Sequence, residues 1–350
     1  MRVASFLRMA VAGGLLSAAL SVPALADDVK LIGSGASFPF PIYAKWFKDF
    51  SAQNDARVDY QSMGSGAGIQ DFINQVVDFA GSDAAMNDKE IAAAKDGVVL
   101  LPMTAGEVVL TYNLEGVDAL KLPRDVYPEI FTGKITKWND PKIAAANPGV
   151  DLPDEDITVV VRADSSGTTY VFTGHLAAIS DDFKNNVGQA KAPEWPSSDN
   201  FIKAPKNDGI TATVKQTPGS IGYIEYAFAK LTGAPTVALQ NKSGNFVAPG
   251  PETGSAALAS AEFPDKTLPG SDVPDLRAWV TDPAGADSYP IATFTWLLIP
   301  ATMEPAKKQV MLDLVDYSLS TGQEMATEMG YIPLPQNVIE KNRSVAKMIK

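Results

Sequence analysis

The sequence contains no cysteine and a single histidine, His175. Without cysteine there is no disulfide framework and no lipid-modified cysteine, and one histidine cannot supply the usual His/Cys zinc cluster. His175 falls inside an expected helix and reads as a packing residue. Long apolar runs are also missing: Met9 to Leu20 is broken by Gly13, Gly14 and Ser17 and is shorter than the roughly 20 residues that cross a bilayer, and no later segment comes close. No Gly-x-Ser-x-Gly elbow, Walker A loop or complete Gly-x-Gly-x-x-Gly fingerprint is present; Gly33-Ser34-Gly35 lacks its third glycine. Positive charge is short as well, with 29 Lys and Arg against 41 Asp and Glu and a net charge of −12, which argues against nucleic acid or an anionic membrane surface as partner. A small anion is not excluded, because it responds to the local field of its site, which backbone N–H groups and one arginine can dominate.

What is there begins with the three-part layout of a secretory signal: Arg2 and Arg8, the apolar stretch, then Ala24-Leu25-Ala26. The expectation is a cleaved signal peptide over 1–26 and a mature chain starting at Asp27, delivered to the periplasm without a lipid anchor. The remaining 324 residues suffice for about two domains, and a hydrophobic content of 45% supports a core in each. Removal of the two signal arginines makes the mature chain more acidic still.

Hydrophobic periodicity then alternates between strand and helix. Val29 to Ile32 predicts a strand, followed by a Gly-rich turn and a helix with Ile42, Tyr43, Trp46, Phe47 and Phe50 on one face. Arg57 to Ser62 predicts a second strand, Gly64 to Gly68 a second turn, and Ile69, Phe72, Ile73 and Val76 a second helix. Further strands are expected at Val77 to Ala80, Val98 to Leu101 and Val108 to Tyr112. This alternation predicts an α/β fold with a largely parallel sheet. The second lobe shows most clearly as the strand Ile157 to Val161, the loop Arg162 to Gly167, and a helix from about Thr168 that buries Val171, Phe172, Leu176 and Ile179. Residues 232 to 288 read as loops and short elements. Ile291 to Ile299 reads as a buried strand, and Val310, Met311, Leu314 and Val315 mark a helix. We expect lobe 1 over 27–109 plus 292–350, lobe 2 over 110–291, and a hinge where two segments cross near 108–112 and 290–296.

Three turns share one design, a small hydroxyl-bearing Gly-rich loop that leads into a helix: Gly33 to Phe38, Gly64 to Gly68, and Asp164 to Thr168. Glycine lets backbone approach a ligand, first-turn N–H groups have no intrahelical partner, and the helix dipole favours negative charge there. Each loop therefore reads as a candidate anion cup; singly, Ser, Thr and Gly before a helix are more often ordinary caps, and it is the presence of three such loops, split between the two lobes, that favours the anion reading. Arg162 ends a strand just before the third loop, where its guanidinium fork suits two ligand oxygens; it also reads as a strand-end arginine in solvent. Asp164 would orient that arginine or cap the loop. Asp83 ends the run Phe79-Ala80-Gly81-Ser82-Asp83 and also reads as the N-cap of a helix near Asn87 to Ala94. Tyr223, Tyr226 and Phe228, after Pro218-Gly219, are placed to contact a ligand or the hinge, but at alternating or helical spacing they read as core.

These loops carry a family resemblance. From the first strand almost to the C-terminus the chain resembles the periplasmic phosphate-binding proteins of ABC-type phosphate importers, through Gly-Ser-Gly-Ala-Ser-Phe-Pro at 33–39, Tyr43-Ala44-Lys45-Trp46, Gly64-Ser65-Gly66, Val77-Asp78-Phe79 with Ser82-Asp83, Gly133-Lys134-Ile135 with Lys137-Trp138, Val161-Arg162-Ala163-Asp164 with Ser166-Gly167-Thr168, and Pro218 to Tyr223. The resemblance implies a two-lobed periplasmic binding protein of type II, with phosphate held in the interlobe cleft by donors at Ser37, Phe38, Ser65, Ser166, Gly167 and Thr168, by Arg162 tied to Asp164, and by Asp83 as acceptor. Ser37 stands where the family often has threonine and Ser165 where it often has glycine. The implied function is capture of inorganic phosphate and its delivery to the permease and ATPase subunits of an importer, as a monomer, with no cofactor, no metal and no catalysis. The alternatives are a binding protein for sulfate or molybdate, in which Asp83 would have no role, and a secreted phosphatase.

Overall fold

The structure, a computed structural model, describes residues 28–350; the signal peptide expected at 1–26 and the mature start at Asp27 lie outside them. Eleven strands are present among the described residues. Eight build one sheet: β1 (Val29–Gly35), β2 (Ala56–Ser62), β3 (Phe79–Ser82), β4 (Val99–Asn113), β6 (Thr158–Arg162), β7 (Phe201–Ala204), β8 (Ser220–Glu225) and β11 (Ala292–Ile299). Their spatial order is β2-β1-β3-β11-β4-β8-β6-β7, and a second sheet joins β5 (Leu120–Leu122), β9 (Val237–Gln240) and β10 (Phe246–Val247) in the order β10-β9-β5.

The large sheet consists of two parallel groups joined by an antiparallel pair. β2, β1 and β3 run parallel on one side, and β8, β6 and β7 on the other. Helices must connect parallel neighbours, which is why the sequence alternates between periods of 2 and 3.6 there. Between the groups, β4 pairs with β11 from Val99 to Glu107 and with β8 from Val108 to Asn113. β11 is buried along its whole length and β4 along all but its last residue, as continuous apolar runs covered on both faces should be.

Two expectations are corrected. Val98 to Leu101 and Val108 to Tyr112 are not separate strands but parts of the single 15-residue β4. Pro102 and Gly106 look like breakers in one dimension, yet the pairing shifts register between Thr295 and Trp296, so a bulge absorbs the interruption next to Pro102, which has no N–H to donate. Gly106 sits where a Cβ would come within 2.9 Å of the Phe38 ring and 2.8 Å of a Glu225 carboxylate oxygen, a close approach that excludes larger residues. Val76 does not extend the second helix: Ser65–Ile73 ends at Asn74, Gln75 takes a left-handed φ of 59°, and Val76 is exposed. In the Gly167–Ile179 helix, Phe172 and Leu176 are buried, whereas Val171 and Ile179 are half-buried.

Candidate functional site

All three Gly-rich loops lie at the carboxyl ends of strands and lead into the first turns of helices. β1 leads to Ser37, β2 to Ser65, β3 to Asp83 and β6 to Arg162 through Thr168. Such strand ends are where ligands bind in open α/β sheets.

The structure separates the cap reading from the ligand reading residue by residue. Neither Ser37 nor Ser65 caps a helix: the Phe40–Gln53 and Ser65–Ile73 helices begin at Pro39 and Gly64 with no side-chain cap. Ser166 is a cap, its Oγ accepting from the Thr169 amide at 3.0 Å while its own amide donates to the Lys191 carbonyl. Its hydroxyl proton remains free to be donated. Because Ser166 serves Thr169, the Gly167 and Thr168 amides belong to a first turn with no carbonyl of its own helix to bond.

The loops interlock. The Gly66 amide donates to the Ser165 carbonyl at 2.9 Å, and the Asp83 amide to Ser65 Oγ at 3.2 Å. A Cβ at Gly167 would stand 2.3 Å from Ser65 Oγ and 2.8 Å from Asp83 Oδ2, so glycine is required where the second and third loops meet. Phe38 is buried, its ring edge-on to Tyr331 and its carbonyl accepting from the Tyr331 hydroxyl at 2.7 Å. Its amide follows Ser37 through the same turn.

Arg162 is not a solvent arginine; it is 5% exposed. Asp164 holds it by two bonds, from Nε at 2.9 Å and from Nη2 at 2.5 Å, and also accepts from the Lys206 amide at 2.8 Å. Burial works against the ionised Asp164, but its bonds to Arg162 outweigh this and hold its carboxyl below the usual range. Nη1 of Arg162 is buried and has no hydrogen-bond partner in the protein. A buried guanidinium N–H without an acceptor is costly, and an oxyanion removes that cost.

Asp83 is also buried, and Asn87, not Asp83, caps the following helix, Asp88–Ala93. Burial pushes its carboxyl up to about 7, against the bond from Thr295 Oγ1 at 2.9 Å, the field of Arg162 and the long 3.4 Å bond from Thr168 Oγ1. A carboxyl balanced near neutrality can exchange a proton with a ligand. The site thus joins a fixed cation, orphan amides, hydroxyl donors and one acceptor whose charge is adjustable.

Three further residues, not among the candidate site residues of the sequence, touch the site. Asn207, buried, donates to Ser37 Oγ and to Thr168 Oγ1. Thr295 lies on β11, and a Thr-x-Thr interruption of that apolar run was the available signal. Tyr223, expected as core, is buried, and its hydroxyl meets Thr169 Oγ1 at 2.7 Å and accepts from the Arg162 amide. Away from the site, His175 bonds the Tyr127 hydroxyl and the Thr281 carbonyl, and burial lowers it to about 4, so it is a neutral packing residue. Among the described residues no helix is long and apolar enough to cross a membrane, and no group of three or more His, Cys, Asp or Glu is placed to hold a metal ion.

Comparison with known proteins follows this geometry. A family profile described as a PBP superfamily domain matches residues 21–321. The chain is 39% identical over 331 residues to a protein named phosphate-binding protein PstS from Pasteurella multocida, covering 93% of each chain. It is 38% identical over 317 residues to the protein of the same name from Haemophilus influenzae, covering 90% of this chain and 91% of the other. Among solved structures, a phosphate-binding protein from Stenotrophomonas maltophilia superposes with a TM-score of 0.71 at 22% identity, over 90% of this chain and 93% of that one, a likeness of fold.

Proposed function

The chain belongs to the PstS phosphate-binding protein family, and from that premise we propose that it captures inorganic phosphate in the periplasm and delivers it to the permease and ATPase subunits of an ABC-type importer. It is a binding protein and not an enzyme. The observation that carries the ligand assignment is the pairing of a buried guanidinium that keeps one N–H without a protein acceptor, Arg162, with a buried carboxyl held near neutrality, Asp83.

Phosphate at neutral pH still carries a proton on oxygen, and sulfate carries none. A carboxylate at Asp83 accepts a hydrogen bond from that proton and repels a fully ionised oxyanion. A site built around a ligand hydroxyl can reject the analogue without it by roughly 10⁴-fold or more. In this reading Arg162 takes two ligand oxygens, and Ser37, Ser65, Ser166 and Thr168 with the amides of Phe38, Gly167 and Thr168 supply the remaining donors. Asp164 fixes the guanidinium from behind.

The lobes we assign to 27–109 plus 292–350 and to 110–291, with the hinge in β4 and β11. The exchange of β4's partner from β11 to β8 beside Glu107 supports a joint there. The mature protein then works as a monomer released by cleavage after Ala26. The test is calorimetric titration of phosphate-stripped protein with phosphate, sulfate and molybdate. Tight one-to-one phosphate binding without sulfate heat is the expected result; sulfate or molybdate binding of equal strength would overturn the assignment, and release of phosphate from an ester would replace it with a hydrolase.

A further inference from the structure

We infer that Asn207 is a positioning residue for phosphate, one that turns the hydroxyl of Ser37 into an obligatory donor by occupying both its lone pairs and biases that of Thr168 toward donation by occupying one. The inference rests on the phosphate reading above and deepens it.

The Asn207 side chain is fully buried, and every polar atom on it is engaged. Its Oδ1 accepts from the Glu225 amide at 2.9 Å. A backbone N–H can only donate, so this bond decides which end of the amide is oxygen and turns Nδ2 toward the site. Nδ2 carries two protons: one goes to Ser37 Oγ at 2.8 Å, the other to Thr168 Oγ1 at 3.2 Å. Ser37 Oγ accepts a second bond, from the Asn207 backbone amide at 3.1 Å.

A serine hydroxyl has two acceptor sites and one proton. With both acceptor sites of Ser37 filled by Asn207, that oxygen can only donate. Thr168 Oγ1 has one acceptor site filled by Nδ2 and sends its proton to Asp83 Oδ2 over 3.4 Å, a length at which a nearer phosphate oxygen is the better acceptor. Transfer of that bond to phosphate also frees Asp83 Oδ2 for the ligand's own proton. A hydroxyl that is free to rotate loses that freedom on binding and can equally offer a lone pair to the anion, which repels; a pre-set donor avoids both penalties.

The backbone is arranged to deliver this residue. Lys206, immediately before it, adopts a left-handed φ of 58°, one of two non-glycine residues with positive φ among those described. Such strain persists where surrounding structure enforces it and concentrates at functional sites. Here the Lys206 amide is anchored on Asp164 Oδ1, the carboxylate that also clamps Arg162. One aspartate therefore sets the positions of both the guanidinium and the asparagine. Asn207 also spans the chain, joining the β1 loop to the Gly167–Ile179 helix, so its bonds require the two sides of the cleft to be together.

The experiment is a double-mutant cycle read by phosphate titration of the full mature protein. Asn207→Ala is expected to weaken phosphate binding by 30-fold or more in the otherwise unaltered chain, and by less than 3-fold where Ser37→Ala and Thr168→Val have already removed the hydroxyls. A residue that only fills space would cost the same in both backgrounds, and that additivity would overturn the inference. Thermal unfolding of the phosphate-free variants checks that they fold; if Asn207→Ala does not, Asn207→Ser, which keeps a group for the Glu225 amide, is carried through the same cycle. Absence of phosphate binding by the unaltered protein would instead defeat the phosphate reading itself, so the two failures are distinct.

Discussion

Asp83→Asn tests whether a single buried carboxyl governs both stability and anion choice. The folded protein raises this carboxyl from 3.8 to about 7, chiefly by burial. Between those values the folded state holds a proton that the unfolded chain has already released, so stability falls as pH rises from about 4 to 7. At 1.36 kcal/mol per unit the total is about 4 kcal/mol. Asparagine has nothing to ionise; its Oδ1 can accept from Thr168 while Thr295 turns its hydroxyl to accept from Nδ2. Phosphate-stripped Asp83→Asn should therefore match the unaltered protein near pH 4 and exceed it by up to about 4 kcal/mol at pH 8, measured by urea unfolding across that range. Glu107, also raised by burial, slopes both curves alike, and Glu225, which burial raises and the Asp83 charge raises further, adds to the difference in the same direction. Parallel curves would refute the burial argument. The same variant should bind phosphate and sulfate with affinities that converge; an unchanged ratio would remove Asp83 from the role of discriminator.

Four further outcomes follow from the site. Sulfate binding to the unaltered protein should strengthen as pH drops below about 7, because a protonated Asp83 donates to sulfate instead of repelling it, and calorimetry at pH 5 and 8 decides this. Arg162→Ala should weaken phosphate binding by about 2–5 kcal/mol, as loss of a buried charge partner does, with unchanged affinity excluding it from the site. Gly167→Ala places a methyl 2.3 Å from Ser65 Oγ and should cut affinity at least about tenfold by holding the loops apart, which phosphate titration checks. Away from the anion, Lys191 pairs with Glu90, and Arg277 donates to the Met86 carbonyl and to Asp88; replacing both cations with methionine should speed phosphate release in stopped flow, most clearly at low salt.

Much of the fold was legible because its signals are local. The periodicity of Ile42, Tyr43, Trp46, Phe47 and Phe50 announced a helix, and all five are buried in Phe40–Gln53. The apolar run at 291–299 announced a strand buried on both faces, and β11 is one. Local reading failed where tertiary pairing overrides a breaker: Pro102 and Gly106 are accommodated by the β4–β11 bulge and by the approach of Phe38, neither of which a neighbour in sequence reveals. It failed also at Val76, where the left-handed Gln75 ends the helix one turn early.

For the site, the sequence by itself determined the parts list: Gly-rich loops that start helices, hydroxyls within them, an arginine before the third loop with an aspartate two residues on, and a family pattern that contains them all. These are features of a few consecutive residues, and local chemistry suffices to recognise them. Tertiary structure alone decided which hydroxyls cap a helix and which do not, that Arg162 is buried with one N–H unengaged, and that Asp83 sits near neutrality. It alone supplied Asn207 and Thr295, which meet Ser37 and Asp83 across 170 and 212 residues of chain. The physical reason is desolvation: charge state and donor direction depend on what surrounds an atom once water is excluded, and those surroundings come from segments far apart in the chain.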